Sequence, residues 1–292
     1  MKTGKAIVAG GIAGLFALSA AGELLLEYKF DTGTTNTPNS GSVSGADLAF
    51  RAPGTGAPLT NATFTTGVSG QAGDYAFNTA ATSMSGNGVV ATTTVDVQAI
   101  DELTSFTISG WYKTDGTVSF VGSNARLVMD YVTGAGWQLL GNNNTTTPSY
   151  YFYADGGNIG NAPLSGTVLD QTQEWVFFAI TYDGTLTANN LKFYGGDVDT
   201  AVALLHTATL NQGAMGDNDA AFTVGNQASR DRAFDGDIDN IRLHGEKVSD
   251  GSGVLSLAEL EAIRKADVIP EPTTMLLFGV GVALCGWRRL RR

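Results

Sequence analysis

Residues 105–116 read SFTISGWYKTDG, and residues 174–184 read EWVFFAITYDG. Both are rich in β-branched and aromatic residues and close on an Asp-Gly turn pair, the composition of a strand running into a turn. In the first, Phe106, Ile108, Gly110 and Tyr112 alternate with Thr107, Ser109, Trp111 and Lys113. That period of two is what a strand imposes on its faces. Aromatics occur in both sets, so both faces of this strand are expected to be at least partly covered.

Working outward, similar runs recur between clusters of Gly, Asn, Asp and Thr. They are LLLEYKF (24–30), ARLVMDYV (125–132), GWQLLG (136–141), SYYFYAD (149–155), NLKFYGG (190–196), AAFTVGN (220–226) and DIDNIRLHG (237–245). Helical spacing is confined to SLAELEAIRKAD (256–267), where Leu257, Leu260, Ala262 and Ile263 could line one face of a short helix near 256–265. Many short strands with glycine-rich turns predict an all-β chain folded as a two-sheet antiparallel jelly-roll sandwich. No unit repeats at a fixed period, which disfavours a propeller or a β-helix.

Several segments carry a resemblance. YKFDTGTTNTPNSG (28–41) resembles the opening, and GQAGDYAFN (70–78) an early segment, of laminin-G-like, concanavalin A-like jelly rolls. The two stretches quoted first are similar to central strands of that family. FTVGNQASRDRAFDGDIDNIRLHG (222–245), followed by LSLAELEAI (255–263), resembles its closing strand and final helix. The likeness spans residues 24–264. One departure is His244, where the family usually has an aromatic.

The two ends read differently from the body. MKTGKAIVAGGIAGLFALSAAGE (1–23) has basic Lys2 and Lys5, an apolar run and a small-residue site, the order of a secretory signal peptide cut after Ala21 and removed on export. VIPEPTTMLLFGVGVALCGWRRLRR (268–292) has Pro270-Glu271-Pro272, then 13 uncharged residues from Met275 to Trp287, then four arginines. A spanning helix needs about 20 apolar residues, so 13 is marginal, while the arginines supply a positive-inside flank. This stretch resembles the PEP-CTERM sorting signal. The resemblance implies an exosortase-type processing enzyme acting at Pro270, Glu271 and Pro272, a membrane association through the tail before processing, and a Gram-negative envelope or matrix as destination. Three parts are thus expected: a signal helix (1–21), one jelly-roll domain (22–267) and a sorting segment with a short apolar helix (268–292).

Setting aside Lys2, Lys5, the tail arginines and Glu271 leaves 11 basic and 27 acidic residues in 22–270, a net charge of −16. Such a surface repels phosphates and excludes nucleic acid as a partner class. Cys285, in the tail, is the one cysteine, so the domain has neither disulfide nor thiol chemistry. His206 and His244 are its two histidines, and no Gly-x-Ser-x-Gly elbow accompanies them. The Glu-x-Asp-x-x-Glu strand of laminarinase-like relatives is absent. The expectation is therefore a non-catalytic protein.

Two candidate sites remain. Asp239 alternates on paper with Ile241 and Leu243, which would half-bury a carboxylate and require a partner. The resemblance implies a structural Ca²⁺ there, with Asp31, Asn36 and Asn39 offering the hard oxygen ligands that calcium prefers. The other possibility is that Asp239 pairs with Arg242 or caps backbone amides. Asp217, Asn218 and Asp219 form a second acidic loop, for which turn-making is the simpler role. Trp137, Tyr150, Tyr151 and Tyr153, with Asn142, Asn143 and Asn144, could build a sugar site of aromatic faces beside amides; packing in the core is the alternative for each ring. The leading expectation is a binding module for exopolysaccharide or another envelope glycan. A structural or adhesive matrix protein comes second, and a polysaccharide-acting enzyme third.

Overall fold

The computed structural model describes residues 22–32, 35–115, 124–141, 149–155, 158–163 (backbone) and 173–268. The leader, Asn142 with its loop, and Pro270, Glu271 and Pro272 lie outside these residues. Two antiparallel sheets stack into a sandwich, as the sequence predicts.

The first sheet runs β14 (Ala203–Ala208), β13 (Leu191–Asp197), β12 (Val176–Asp183), β7 (Ser105–Thr114), β16 (Gly236–Glu246), β5 (Tyr75–Asn78) and β4 (Thr63–Thr66), with β1 (Glu23–Tyr28) also paired to β16. The second runs β11 (Asn158–Pro163), β10 (Ser149–Ala154), β9 (Ala135–Gly141), β8 (Arg126–Val132), β15 (Ala221–Val224), β6 (Val90–Asp96), β3 (Leu48–Arg51) and β2 (Asn36–Thr37). The two stretches that open the sequence reading are direct neighbours: β7 pairs with β12 from Tyr112↔Val176 to Ser105↔Asp183.

Between the sheets lies an aromatic core. Phe106, Ile108 and Tyr112 from β7 meet Trp137 and Leu139 from β9 and Tyr150 and Phe152 from β10. Phe106 stacks on Trp137 at 5.4 Å, and Tyr112 meets Phe234 edge-on at 5.5 Å. Each such side chain contributes roughly 1.5–3 kcal/mol on burial.

The other face of β7 is covered as well, as its alternation requires. Trp111, Phe177, Ala179 and Tyr194 form a second cluster with Leu255 and Leu260, the latter from α1 (Leu257–Val268). Ser256 caps this helix: its Oγ accepts from the Glu259 N–H, and Glu259 accepts from the Ser256 N–H in return. The buried face differs from the expected one. Leu260 and Arg264 are buried and Ile263 half-buried, whereas Leu257 and Ala262 are exposed. The helix crosses the sheet on its 260/263/264/267 stripe, so it also carries charge to the interface.

Candidate functional site

The closing strand corrects one reading outright. A β-bulge lies between Asp239↔Trp111 and Arg242↔Ser109, so Asn240 and Ile241 together face Gly110. Asn240 takes a left-handed φ of 49° at this point. The bulge inverts the phase: Ile238, Ile241 and Leu243 all enter the core, and Asp239 and Arg242 face outward beside Trp111. Gly110 is what permits it, since a Cβ there would meet Ile241 Cδ1 at 2.4 Å.

On that outer face Arg242 binds Asp267 of α1 through both Nη atoms, at 2.8 and 2.7 Å, and Glu27 of β1 through Nε at 2.9 Å. Trp111 Nε1 donates to the same Asp267 at 2.8 Å. Burial works against the charge on Arg242, and the two carboxylates overcome it and hold its pKa above the usual guanidinium value. Charge, ring and helix are locked together over Trp111.

Asp239 is fully buried and accepts the Val68 N–H at 2.9 Å; its other oxygen has no partner. Burial, and then the nearby Asp74, Asp267 and Asp31, push its pKa well above the carboxylate range. Asp239 therefore caps a backbone amide, while Arg242 pairs elsewhere. The expected calcium set does not fit as drawn. Asn39 Oδ1 already accepts from the Glu27 and Gly41 N–H groups, and its Nδ2 donates to Leu25 and Val43 carbonyls. Asn39 is a clasp between β1 and the following loop. Asp31 is exposed and accepts the Tyr75 N–H, and Asn36 is part of β2. Among the described residues, no three acidic, histidine or cysteine side chains stand at metal-binding spacing.

The outer face of the second sheet is different. Trp137 and Tyr150, expected as ligand-facing rings, are core residues with no exposed surface, because register places them on the inner side of β9 and β10. Tyr151 and Tyr153 take the opposite phase and stand part-exposed on the outer side. Tyr153 lies opposite Gln138, and Tyr151 opposite Leu140. Tyr131 of β8 lies opposite Gly136, and its ring meets Tyr153 edge-on at 5.4 Å. A side-chain hydrogen bond donated by Tyr153 to Tyr131 raises the Tyr153 pKa. Gly136, at φ 81°, could not carry a Cβ: it would sit 2.2 Å from the Asp130 carbonyl. Met129, Gln138 and Leu140 fill the floor between the rings.

Thus two of the expected rings come together, the other two are core, and Tyr131 and Gln138 join unforeseen. The signal for Tyr131 was present: in ARLVMDYV it is in phase with Met129 and out of phase with Val128 and Asp130. Phenol faces over an apolar floor with one amide form a surface that can stack against a flat ligand and hydrogen-bond its edge.

A stacked pair of antiparallel sheets, one outer face sealed by a helix and the other lined with tyrosines, is a lectin-like architecture. The family model described as the concanavalin A-like lectin/glucanases superfamily matches residues 84–251, more than half of the chain, and the chain belongs to that family. The PEP-CTERM protein-sorting motif matches residues 268–292 and marks the chain for export and envelope-associated sorting through exosortase processing. No curated protein matches. Among solved structures, domain 4 of AbnA, a GH43 extracellular arabinanase from Geobacillus stearothermophilus in complex with arabinotriose, is 13% identical with a TM-score of 0.56, covering 84% of this chain and 99% of that one. The receptor binding domain of botulinum neurotoxin C/D mosaic serotype is 12% identical with a TM-score of 0.54, covering 85% of this chain. The binding domain of Paraclostridial Mosquitocidal Protein 1 is 13% identical with a TM-score of 0.53, covering 84%. The chain spans 52% of the length of each of these two toxin domains. At these identities the likeness is one of fold.

Proposed function

We propose that this protein is an exported, non-catalytic binding module that holds exopolysaccharide or another envelope glycan against the outer face of its second sheet. The observation that carries the reading is the group Tyr131, Tyr151 and Tyr153 above Gln138, on the face that, among the described residues, no helix covers. Sugar rings stack on such faces, and each aromatic contact contributes about 0.5–1.5 kcal/mol. The groups on this face are phenols and an amide, suited to binding rather than to bond cleavage, which favours a binding role over a polysaccharide-acting enzyme. Until an exosortase-type enzyme processes the tail, the apolar run 275–287 keeps the protein at the membrane.

The test is binding of the full chain to a panel of acidic and neutral exopolysaccharides. Saturable binding is expected, weakened about 2- to 12-fold by each of Y131A, Y151A and Y153A. A blank panel, or binding that survives the triple variant, overturns the reading; a blank panel favours the matrix-protein alternative.

A further inference from the structure

On the sealed face the buried arginines sit on carboxylates: Arg242 on Asp267 and Glu27, Arg264 on Glu261. At the open face that pattern breaks. Arg126, at the start of β8, and Arg232, in the segment before β16, have no carboxylate within ion-pair distance among the described residues, in a domain of net charge −16. The backbone sets the two side by side, since the Arg126 N–H donates to the Arg232 carbonyl at 2.9 Å.

Arg126 stands on the tyrosine face. It pairs with Leu140 of β9, and Leu140 pairs with Tyr151 of β10, so arginine, leucine and tyrosine form one row across three strands. A register shift between Arg126 and Val128 makes this possible: Leu127 and Val128 both enter the core, and Arg126 falls into phase with Met129 and Tyr131. One edge of its guanidinium is open. Nη1 donates to the Asn124 carbonyl, but Nε is buried without a partner, and Nη2 has none among the described residues. The N–H groups of Nε and Nη2 point the same way and form the fork that takes both oxygens of a carboxylate. Burial, and then Arg232, bring the Arg126 pKa down to about 10, against a smaller upward pull from Asp231 and Tyr131. The group is still charged at neutral pH, so a half-buried cation is left without its counter-charge. Asp231 does not supply one: its Oδ1 accepts from Gln227 Nε2 and Ser229 Oγ.

We propose that Arg126 and Arg232 seat an anionic substituent, a carboxylate or a sulfate, of a polysaccharide whose sugar rings lie on Tyr151 and its neighbours, so that the ligand class is an acidic glycan. This rests on the binding role proposed above and narrows it. The acidity of the domain makes the pair selective. Over most of the surface, like charge turns an acidic polymer away. At the arginines a contact pair, half out of water, is screened by salt much less than that general repulsion. An acidic polymer is thereby held in one register, with its rings on the phenols and its charge at the guanidinium fork.

The experiment titrates the full chain with polygalacturonate, with the same polymer after reduction of its carboxyls to alcohols, and with dextran sulfate beside neutral dextran, reading Kd by calorimetry. The anionic member of a pair is expected to bind at least about tenfold more tightly than its neutral counterpart; whichever pair shows the larger ratio identifies the anion. R126Q and R232Q are each expected to weaken binding of the anionic polymer about tenfold and to leave the neutral one within about twofold of the parent. R126K keeps the charge but loses the fork, and falls between. K265Q removes the same unit of charge from α1 on the other face, and is expected to change neither polymer. Melting temperatures are compared throughout, and R232Q, at a part-exposed side chain, carries the test if R126Q melts early. Charged and neutral polymers binding alike, with Y153A still weakening both, overturns the anion seat and leaves the glycan face standing. An equal loss in K265Q overturns the seat as well. If no polymer binds, the glycan reading fails and the seat fails with it.

Discussion

The outer faces of the two sheets begin from similar strands and end in opposite states. Both carry aromatics in the solvent-side phase: Trp111, Phe177 and Tyr194 on the first sheet, Tyr131, Tyr151 and Tyr153 on the second. On the first, α1 lands on the rings and a single arginine fastens helix, sheet and N-terminal strand together. On the second, among the described residues, no helix crosses the rings. An outward aromatic is thus neither a core residue nor a ligand contact by its nature; the element that crosses it decides. The sealed face is a matter of stability, and the open face is the one proposed to bind.

That division can be broken first where it is strongest. Arg242→Ala leaves Asp267 and Glu27 as buried charges without their partner, and is expected to cost about 3–5 kcal/mol. In a chain of this size that is a fall of about 10 °C or more in the melting temperature. Trp111→Ala should cost a similar 3–5 kcal/mol through the cavity under α1. If either variant melts like the parent, α1 is not a structural seal and the comparison fails. Tyr153→Ala makes the opposite prediction: a stability change within about 0.5–1 kcal/mol, readable by denaturant midpoint, with the loss appearing in glycan affinity instead.

Acid probes the sealed face in a different way. Burial, and then Arg242, depress His244 to about 4 on the sealed face, where Glu27 and Glu259 act in the other direction. A histidine held below its ordinary value is protonated first in the unfolded chain. Its contribution is therefore complete above about pH 6.5 and is lost as pH falls toward 4. Asp239, shifted upward, acts in the opposite sense over the higher range, favouring the fold as pH falls. The difference between parent and H244Q across pH 7 to 4 isolates the histidine. The parent should lose stability that the variant keeps, and parallel curves would remove His244 from the sealed interior.

The sandwich was readable because β7, β12 and the strands around them are long and written in β-branched and aromatic residues. Shorter strands such as Asn36–Thr37 and Thr63–Thr66 carry too few side chains to show a period. The phase of the strand around Asp239 was misread for a different reason. Alternation extrapolates a phase, and the bulge at Asn240 resets it, with Gly110 on the partner strand as the one local hint. Trp137 and Tyr151 illustrate the same limit. Composition marks both as rings suited to a sugar, but only the pairing of β9 with β10 places one inside the sandwich and the other outside. Asn39 was read by chemistry alone, and its oxygen proved to be engaged by two backbone amides.

The clasp between Asp267 and Arg242 also has a mechanical meaning. Asp267 stands three residues ahead of Pro270, so traction on the C-terminus reaches the domain at α1 and passes through a bidentate ion pair into β16, an interior strand. Strands held on both flanks resist by shearing many hydrogen bonds together, whereas an edge would unzip one bond at a time. A module dragged by flowing polymer on one side and held by its tail on the other would yield first at the helix and keep its sheets intact.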